Sequence, residues 1–147
     1  MLGGLARWLR AAGYDAYYAR QGTDTDDRAL TEKALREGRV LLSGDRGFLE
    51  RAPVRDGHLE FLLVPHLPVE EGLRLVVERF GLEPLPPRCM ECNGGLETVP
   101  LEAVADKVPP GAAGRHREFW RCRGCGRVFW HGSHWARISG RLERVFA

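Results

Sequence analysis

The sequence has no long hydrophobic stretch and very little lysine. No run of about 18 apolar residues occurs in the 147-residue chain, which argues against a membrane-spanning helix. The first residues also lack the basic-then-apolar order of a signal peptide. Lysine occurs only at Lys33 and Lys107, so arginine supplies nearly all of the positive charge. We therefore expect a soluble, cytoplasmic protein.

Positive charge is concentrated in the second part of the chain. Residues 1–87 carry 12 basic and 14 acidic side chains, whereas residues 88–147 carry 10 basic and 6 acidic ones. The net charge of +4 on the second segment is a modest indication of an anionic partner. Arginine suits bidentate contacts with phosphate, although a GC-rich genome would give the same preference over lysine.

All four cysteines lie in two Cys-x-x-Cys pairs, Cys89 with Cys92 and Cys122 with Cys125. Two such turns facing each other form a tetrahedral cage of thiolates, which is suited to a structural Zn²⁺ ion. Two disulfides or four unrelated thiols are the alternatives, but the pattern in an apparently intracellular chain favours zinc. A closed site of four cysteines leaves no position for substrate, so it concerns folding rather than chemistry.

Helices and strands alternate along residues 1–81, which predicts a parallel sheet covered by helices and hence an α/β fold. The pattern predicts helices over residues 4–13, from about residue 26 to Gly38 with Thr25 or Asp24 as N-cap, and from near Pro68 to Gly81; it predicts strands over residues 15–19, 40–42 and 59–64. Residues 83–87 then form a proline-rich linker, which divides the chain into domains 1–84 and 88–147.

The second domain reads as a small ribbon around the four cysteines. Its pattern predicts strands over residues 96–99, 118–121 and 127–130, a loop over residues 109–114, and a last helix capped by Ser133. Its dense aromatic residues are interpreted as core, with a platform for stacking bases as the alternative; they are Phe119, Trp120, Phe129, Trp130 and Trp135. We expect His131 and His134 to form local hydrogen bonds, because four sulfurs already complete a zinc shell.

Several aspartates follow the predicted strands of the first domain. Asp45 follows the strand over residues 40–42, and Asp24, Asp26 and Asp27 follow the strand before it. Ligands of open α/β sheets bind outside the carboxyl ends of the strands, so these carboxylates are candidates to hold Mg²⁺ or Mn²⁺. On spacing alone, capping of a turn and of a helix remains the simpler interpretation.

Five motifs spread over the chain are jointly specific. They read LGxLARWLRxxGYD at residues 2–15, GRVLLSxDR at 38–46, RCxxCNGxL at 88–96, FWRCxxCG at 119–126 and WxGSHW at 130–135. In these motifs the chain resembles the Mut-seven C-terminal RNase family, which is described as a PIN-like nuclease fold followed by a zinc ribbon. The resemblance covers essentially the whole chain.

The resemblance implies a divalent-metal-dependent ribonuclease that hydrolyses RNA phosphodiesters. It implies that Asp45 and one of Asp26 or Asp27 belong to an acidic cluster that holds catalytic Mg²⁺ or Mn²⁺. It makes three arginines candidates for contact with the RNA phosphates: Arg7, Arg10 and Arg46. A non-catalytic RNA- or ribosome-binding module is the alternative.

The sequence departs from the family pattern at its start. The family begins with a strand that ends in an aspartate, ahead of the segment matching residues 1–3. Two expectations therefore stay open: that this strand is encoded upstream of Met1, or that the protein lacks this metal ligand. Gly4 also stands where a basic residue is expected.

Overall fold

The computed structural model describes residues 2–19 and 26–147. The helices of this part are α1 (Leu2–Ala11), α2 (Asp27–Glu37), α3 (Ala52–Arg55), α4 (Val69–Phe80), α5 (Leu101–Val104), α6 (Pro110–Arg115) and α7 (Ser133–Phe146). The strands are β1 (Leu41–Ser43), β2 (Phe61–Leu63), β3 (Leu96–Val99), β4 (Phe119–Cys122) and β5 (Val128–Phe129). Short 3₁₀ helices cover Arg46–Glu50 and Ala105–Lys107. No helix in the described ranges is both long and apolar enough to cross a membrane.

The strands form two small sheets, as the α/β interpretation predicts. Strands β1 and β2 pair in parallel, with Leu41 opposite Phe61, and the helices flank them. Strands β3, β4 and β5 form an antiparallel sheet in that order, and this sheet carries the first cysteine of the second pair, Cys122. The fold class is therefore mixed α/β with a small parallel sheet and a four-cysteine ribbon.

Glycines end two of the helices where the sequence predicts it. Gly38 follows α2 with φ 65°, and Gly81 follows α4 with φ 62°. In this left-handed conformation the amide of Gly38 donates back to the carbonyls of Ala34 and Leu35. Residues with a β-carbon disfavour that conformation, so glycine stops each helix; after Gly38 the chain enters β1, and after Gly81 it enters the linker.

The core is shared between the two ends of the chain. Side chains from α1, α4 and α7 form one buried cluster: Leu5, Leu9, Leu73, Val76, Val77, Ile138, Leu142 and Val145. The linker is also tied to α1, because the amide of Leu85 donates to the Ala12 carbonyl at 3.0 Å and that of Arg88 to the Arg10 carbonyl at 2.9 Å. The division of the chain into two domains at residues 84–88 stays a prediction. Helix α7 of the second segment packs against α1 and α4 of the first.

Some elements differ from those the pattern predicts. Residues 15–18 form no strand, because the amide of Ala16 donates to the side chain of Asn93 and its carbonyl accepts from Arg10. The predicted loop at 109–114 contains α6, in which a proline occupies the first turn without loss of a helical hydrogen bond. Ser133 is the first residue of α7, and Gly132 is the N-cap. The N-cap of α2 is Asp26, while Asp24 and Thr25 lie outside the described residues.

We expect Leu142→Ala to lower the free energy of unfolding by about 2–5 kcal/mol, because it leaves a cavity in the shared core. Leu142 is 8% exposed, whereas Leu35 on α2 is 41% exposed. Leu35→Ala is therefore the matched control, and its effect should stay below about 1 kcal/mol. Urea unfolding followed by circular dichroism measures both, and equal losses would contradict the shared core.

Candidate functional site

The four cysteine sulfurs converge at one end of the antiparallel sheet. All four Sγ atoms lie within 4.8 Å of one another, with 3.7 Å between Cys89 and Cys125 and 3.3 Å between Cys92 and Cys122. A disulfide would need about 2.05 Å, so the thiols are free. Four sulfurs about 2.3 Å from a tetrahedral ion lie roughly 3.8 Å apart. The residues therefore fit a metal ion and are consistent with structural zinc.

Each pair of cysteines lies on a turn of the same construction. The residue after each pair is left-handed, with φ 72° at Asn93 and φ 75° at Gly126. Backbone amides point at sulfur, from Gly94 to Cys92 Sγ at 3.4 Å and from Gly124 to Cys122 Sγ at 3.3 Å. These N–H groups stabilise thiolate charge, and so they prepare the sulfurs for a cation.

The thiols differ in acidity because their surroundings differ. Burial raises the pKa of Cys89 to about 12, and burial also raises the pKa of Cys92. Burial likewise acts on Cys122, but hydrogen bonds from the Cys125 and Gly124 amides and from the neighbouring thiols outweigh it and lower its pKa to about 7. Metal binding therefore displaces a firmly held proton from Cys89, which makes the affinity fall with decreasing pH.

Arg10 joins the first cysteine turn to helix α1. Its side chain is in the interior at 2% exposure. Its Nε donates to the Ala16 carbonyl at 2.9 Å, and its Nη1 donates to the carbonyls of Met90 at 2.9 Å and Glu91 at 3.3 Å. Burial lowers the pKa of Arg10, and the thiols of Cys89 and Cys92 oppose this shift. The expected contact of Arg10 with phosphate stays a prediction. The hydrogen bonds given above join Arg10 to backbone carbonyls, and their role is structural.

A second connection joins the same turn to the parallel sheet. Asn93 donates from Nδ2 to the Asp15 carboxylate at 2.6 Å, and Asp15 also accepts from Arg39 at 3.1 Å. The hydrogen bond from Arg39 lowers the pKa of Asp15, and the same contact raises the pKa of Arg39. The sequence alone gave no signal for this network, because its partners are 78 residues apart in the chain.

The other two predicted RNA-binding arginines are more accessible. Arg7 pairs with Glu91 at 2.6 Å and keeps 46% of its side chain exposed. Arg46 is exposed at the start of the 3₁₀ helix that follows β1. It forms no ion pair with residues 2–19 or 26–147. Arg46 is therefore the most available of the three for an anion.

Two of the three predicted catalytic aspartates near this corner of the fold are caps, and the third begins α2. Asp45 follows β1 and accepts from the Gly47 amide at 2.8 Å, and Asp26 caps α2 by accepting from the Ala29 amide at 2.8 Å. Asp27 lies 3.7 Å from Arg51, which follows the 3₁₀ helix that Asp45 caps. Among the described residues, the four cysteines are the one group of three or more possible ligands close enough to share an ion. The metal-binding role of the aspartates stays a prediction.

A groove in the α/β part is lined by none of these three carboxylates. It has a volume of about 650 Å³ and runs between α1, α2, α4 and β1. Its walls are mostly apolar, with Leu5, Leu9, Leu41 and Val76 among the lining residues, and neither Asp45 nor Arg46 lines it. Such walls are poorly suited to phosphate, so the corner at Asp45 remains the better candidate for RNA chemistry.

The fold and the cysteine cluster define an α/β protein with a metal-binding ribbon. Comparison with known families matches residues 1–142 to the Mut7-C RNAse domain. The chain belongs to this family, which confirms the resemblance seen in its motifs. No curated protein and no solved structure gave a match.

We expect Gly94→Ala to weaken metal binding, because a β-carbon at residue 94 would lie 2.7 Å from Cys122 Sγ and 3.1 Å from Cys92 Sγ. The neighbouring Gly95→Ala is the control, since a β-carbon there meets nothing within 4 Å. Competition with a chromogenic chelator measures the affinity, and Co²⁺ substitution reports thiolate ligation optically. Equal affinities for the two variants would contradict the geometry of the turn.

Proposed function

We propose that the protein is a divalent-metal-dependent ribonuclease whose chemistry takes place at the corner after β1. The family match over residues 1–142 carries this proposal. The position of Asp45 supports it, because ligands of open α/β sheets bind at the carboxyl ends of parallel strands. In this proposal Asp45 and Asp27 hold the metal and Asp26 assists.

The carboxylates have oxygen atoms to offer. Asp45 and Asp26 each use Oδ1 for a cap, and Asp27 directs Oδ2 toward Arg51. The second oxygen of each carboxylate has no hydrogen bond or ion pair within residues 2–19 and 26–147. Carboxylate oxygens are the ligands that Mg²⁺ and Mn²⁺ prefer, so the chemistry of these side chains suits either ion, although the three carboxylates do not lie close enough in the described residues to share one.

In this proposal some groups supply charge and others hold the phosphodiester in position. A bound divalent ion would supply Lewis acidity and an activated water. Asp45 is held in place by its own turn, since its amide donates to Ser43 Oγ at 3.0 Å and its Oδ1 accepts from Gly47. Arg46 follows directly and presents a guanidinium to the RNA backbone, with Arg7 as a second contact. Such pre-set geometry lowers the cost of orienting the phosphodiester.

We also propose that the ion in the cysteine cluster is Zn²⁺ and that it is structural. Four thiolates suit zinc, and a closed shell leaves no place for a substrate. Elemental analysis of the purified protein should give one zinc per chain, with no disulfide. Cys122→Ser should unfold the ribbon, because structural zinc contributes roughly 10 kcal/mol or more to such modules.

A non-catalytic RNA-binding module remains the second candidate. The capping bonds of Asp26 and Asp45 favour it, since each carboxylate already has a structural task. The described ranges also contain no cluster of three carboxylates close enough to share an ion, and this too favours the binding module. The two candidates differ in what a charge-removing substitution at Asp45 does.

We expect Asp45→Asn to abolish Mn²⁺- or Mg²⁺-dependent cleavage of labelled single-stranded RNA while RNA binding persists. Asparagine is also a good cap, so the turn at Gly47 should survive and the thermal midpoint should hardly change. The control is Asp106→Asn, which removes the same charge on the ribbon. Equal cleavage by the wild type and Asp45→Asn would place catalysis elsewhere, and no cleavage by any of the three would favour the binding module.

We expect Arg46→Gln to weaken RNA binding and to reduce the slope of log K against log salt by about 0.7, as one phosphate contact is lost. Arg144→Gln is the matched control, because Arg144 already pairs with Glu70 at 3.4 Å. Fluorescence anisotropy at several salt concentrations measures both slopes. An unchanged slope for Arg46→Gln would remove Arg46 from the RNA contact.

A further inference from the structure

The two faces of the ribbon sheet differ in what covers them. Val99, Phe119, Val128 and Trp130 belong to a core cluster with residues of the 101–113 segment, so their face is the inner one. Side chains alternate across a strand, so Trp120 points to the outer face. Phe129 lies directly opposite Trp120 in the register and shares that face.

On the outer face, the ring of His131 lies between the rings of Trp120 and Trp135. The imidazole of His131 lies 4.6 Å from the Trp120 ring at an interplanar angle of 25°, and 6.1 Å from the Trp135 ring at 16°. His131 is exposed, and Trp120, Phe129 and Trp135 are half-buried. Trp120, Phe129 and His131 belong to no buried cluster of the described residues. We call these four rings the aromatic face.

Positive charge borders the aromatic face. The amide of Cys122 donates to the Arg127 carbonyl at 2.8 Å, which extends the β4–β5 register by one pair. Arg127 therefore lies on the outer face with Trp120 and Phe129. It is exposed, and it forms no ion pair with residues 2–19 or 26–147. The aromatic face thus combines flat rings with a cation whose charge is not neutralised by these residues.

We propose that the aromatic face binds single-stranded RNA by stacking unpaired bases, with Arg127 contacting the backbone. Stacked rings beside a cation suit this ligand, because every base has a π-face and every linkage has a negative charge. The net charge of residues 88–147 is +4 from basic and acidic side chains and +2 once four thiolates hold one Zn²⁺, and this positive charge favours the same polyanion over a neutral protein surface. The choice of RNA rests on the proposed function, but the aromatic face is separate from the Asp45 corner.

The experiment uses the full zinc-loaded protein without added Mg²⁺ or Mn²⁺, so that binding is measured apart from cleavage. The probe is a labelled oligoadenosine of about 12 nucleotides, a length within the usual span of single-strand sites. A sugar–phosphate oligomer of equal length without bases is compared with it. We expect roughly tenfold weaker binding of the baseless oligomer, together with quenching of tryptophan fluorescence by the base-bearing one only.

The variants separate stacking from charge and from misfolding. We expect Trp120→Leu to weaken binding roughly tenfold and Trp120→Phe to restore most of it, since stacking needs a ring. Trp8→Leu makes the same replacement on α1 and should bind like the wild type. Arg127→Gln should lower the salt slope by about 0.7. Zinc content and thermal midpoints identify any variant that fails to fold, and the comparison of oligomers on the wild type stands without them.

Each outcome decides the proposal. Equal binding of the two oligomers, or equal binding by Trp120→Leu and Trp120→Phe, overturns base stacking and leaves a protein partner as the occupant. These results would not affect the nuclease, which is judged by Mn²⁺-dependent cleavage and by Asp45→Asn. Conversely, if the protein does not cleave RNA but binds bases at Trp120, the binding site stands and the proposed nuclease activity does not.

Discussion

A buried guanidinium, that of Arg10, connects the first cysteine turn to helix α1. Arg10 projects from α1 and donates to the carbonyl of residue 16 and to those of residues 90 and 91, so it joins α1 to two other backbone segments. Arginine is suited to this because its planar head offers several donors in a fixed fork. Backbone carbonyls that accept these bonds would otherwise be unpaired in a partly dry interior, where each costs about 1–3 kcal/mol. The position of the first cysteine turn therefore depends on α1.

This connection relates the metal centre to the α/β fold energetically. The first cysteine turn is bonded to Arg10 and, through Asn93, to Asp15 and Arg39. Any ion that orders the turn also orders these partners, so binding energy at the sulfurs stabilises the segment that leads to the parallel sheet. A ribbon that were a freely tethered module would not act in this way.

The sequence predicted the elements whose signals are local. The apolar stripe of α1, the stops at Gly38 and Gly81 and the two cysteine turns all follow from nearby residues. The strand predicted at residues 15–19 failed because its backbone is satisfied by Asn93 and Arg10 rather than by a neighbouring strand. No local pattern contains that information.

The candidate sites also differ in whether local sequence signals could predict them. The cysteine cluster could be predicted because its spacing defines its geometry, and the caps at Asp26 and Asp45 follow from residue type. The burial of Arg10 could not be predicted, since an amphipathic pattern assigns arginine to the solvent side. The aromatic residues were interpreted as core, which holds for Phe119 but not for His131's neighbour Trp120.

The packing of α7 against α1 affects the order in which the chain can fold during synthesis. Leu5 and Leu142 belong to one core although they are separated by nearly the whole sequence. A ribosome extends the chain from the N-terminus, so α1 is made long before α7 leaves the exit tunnel. Until then the apolar side of α1 lacks part of its cover. Completion of the core must therefore wait for α7, and a product truncated before α7 would keep that surface open to chaperones and proteases.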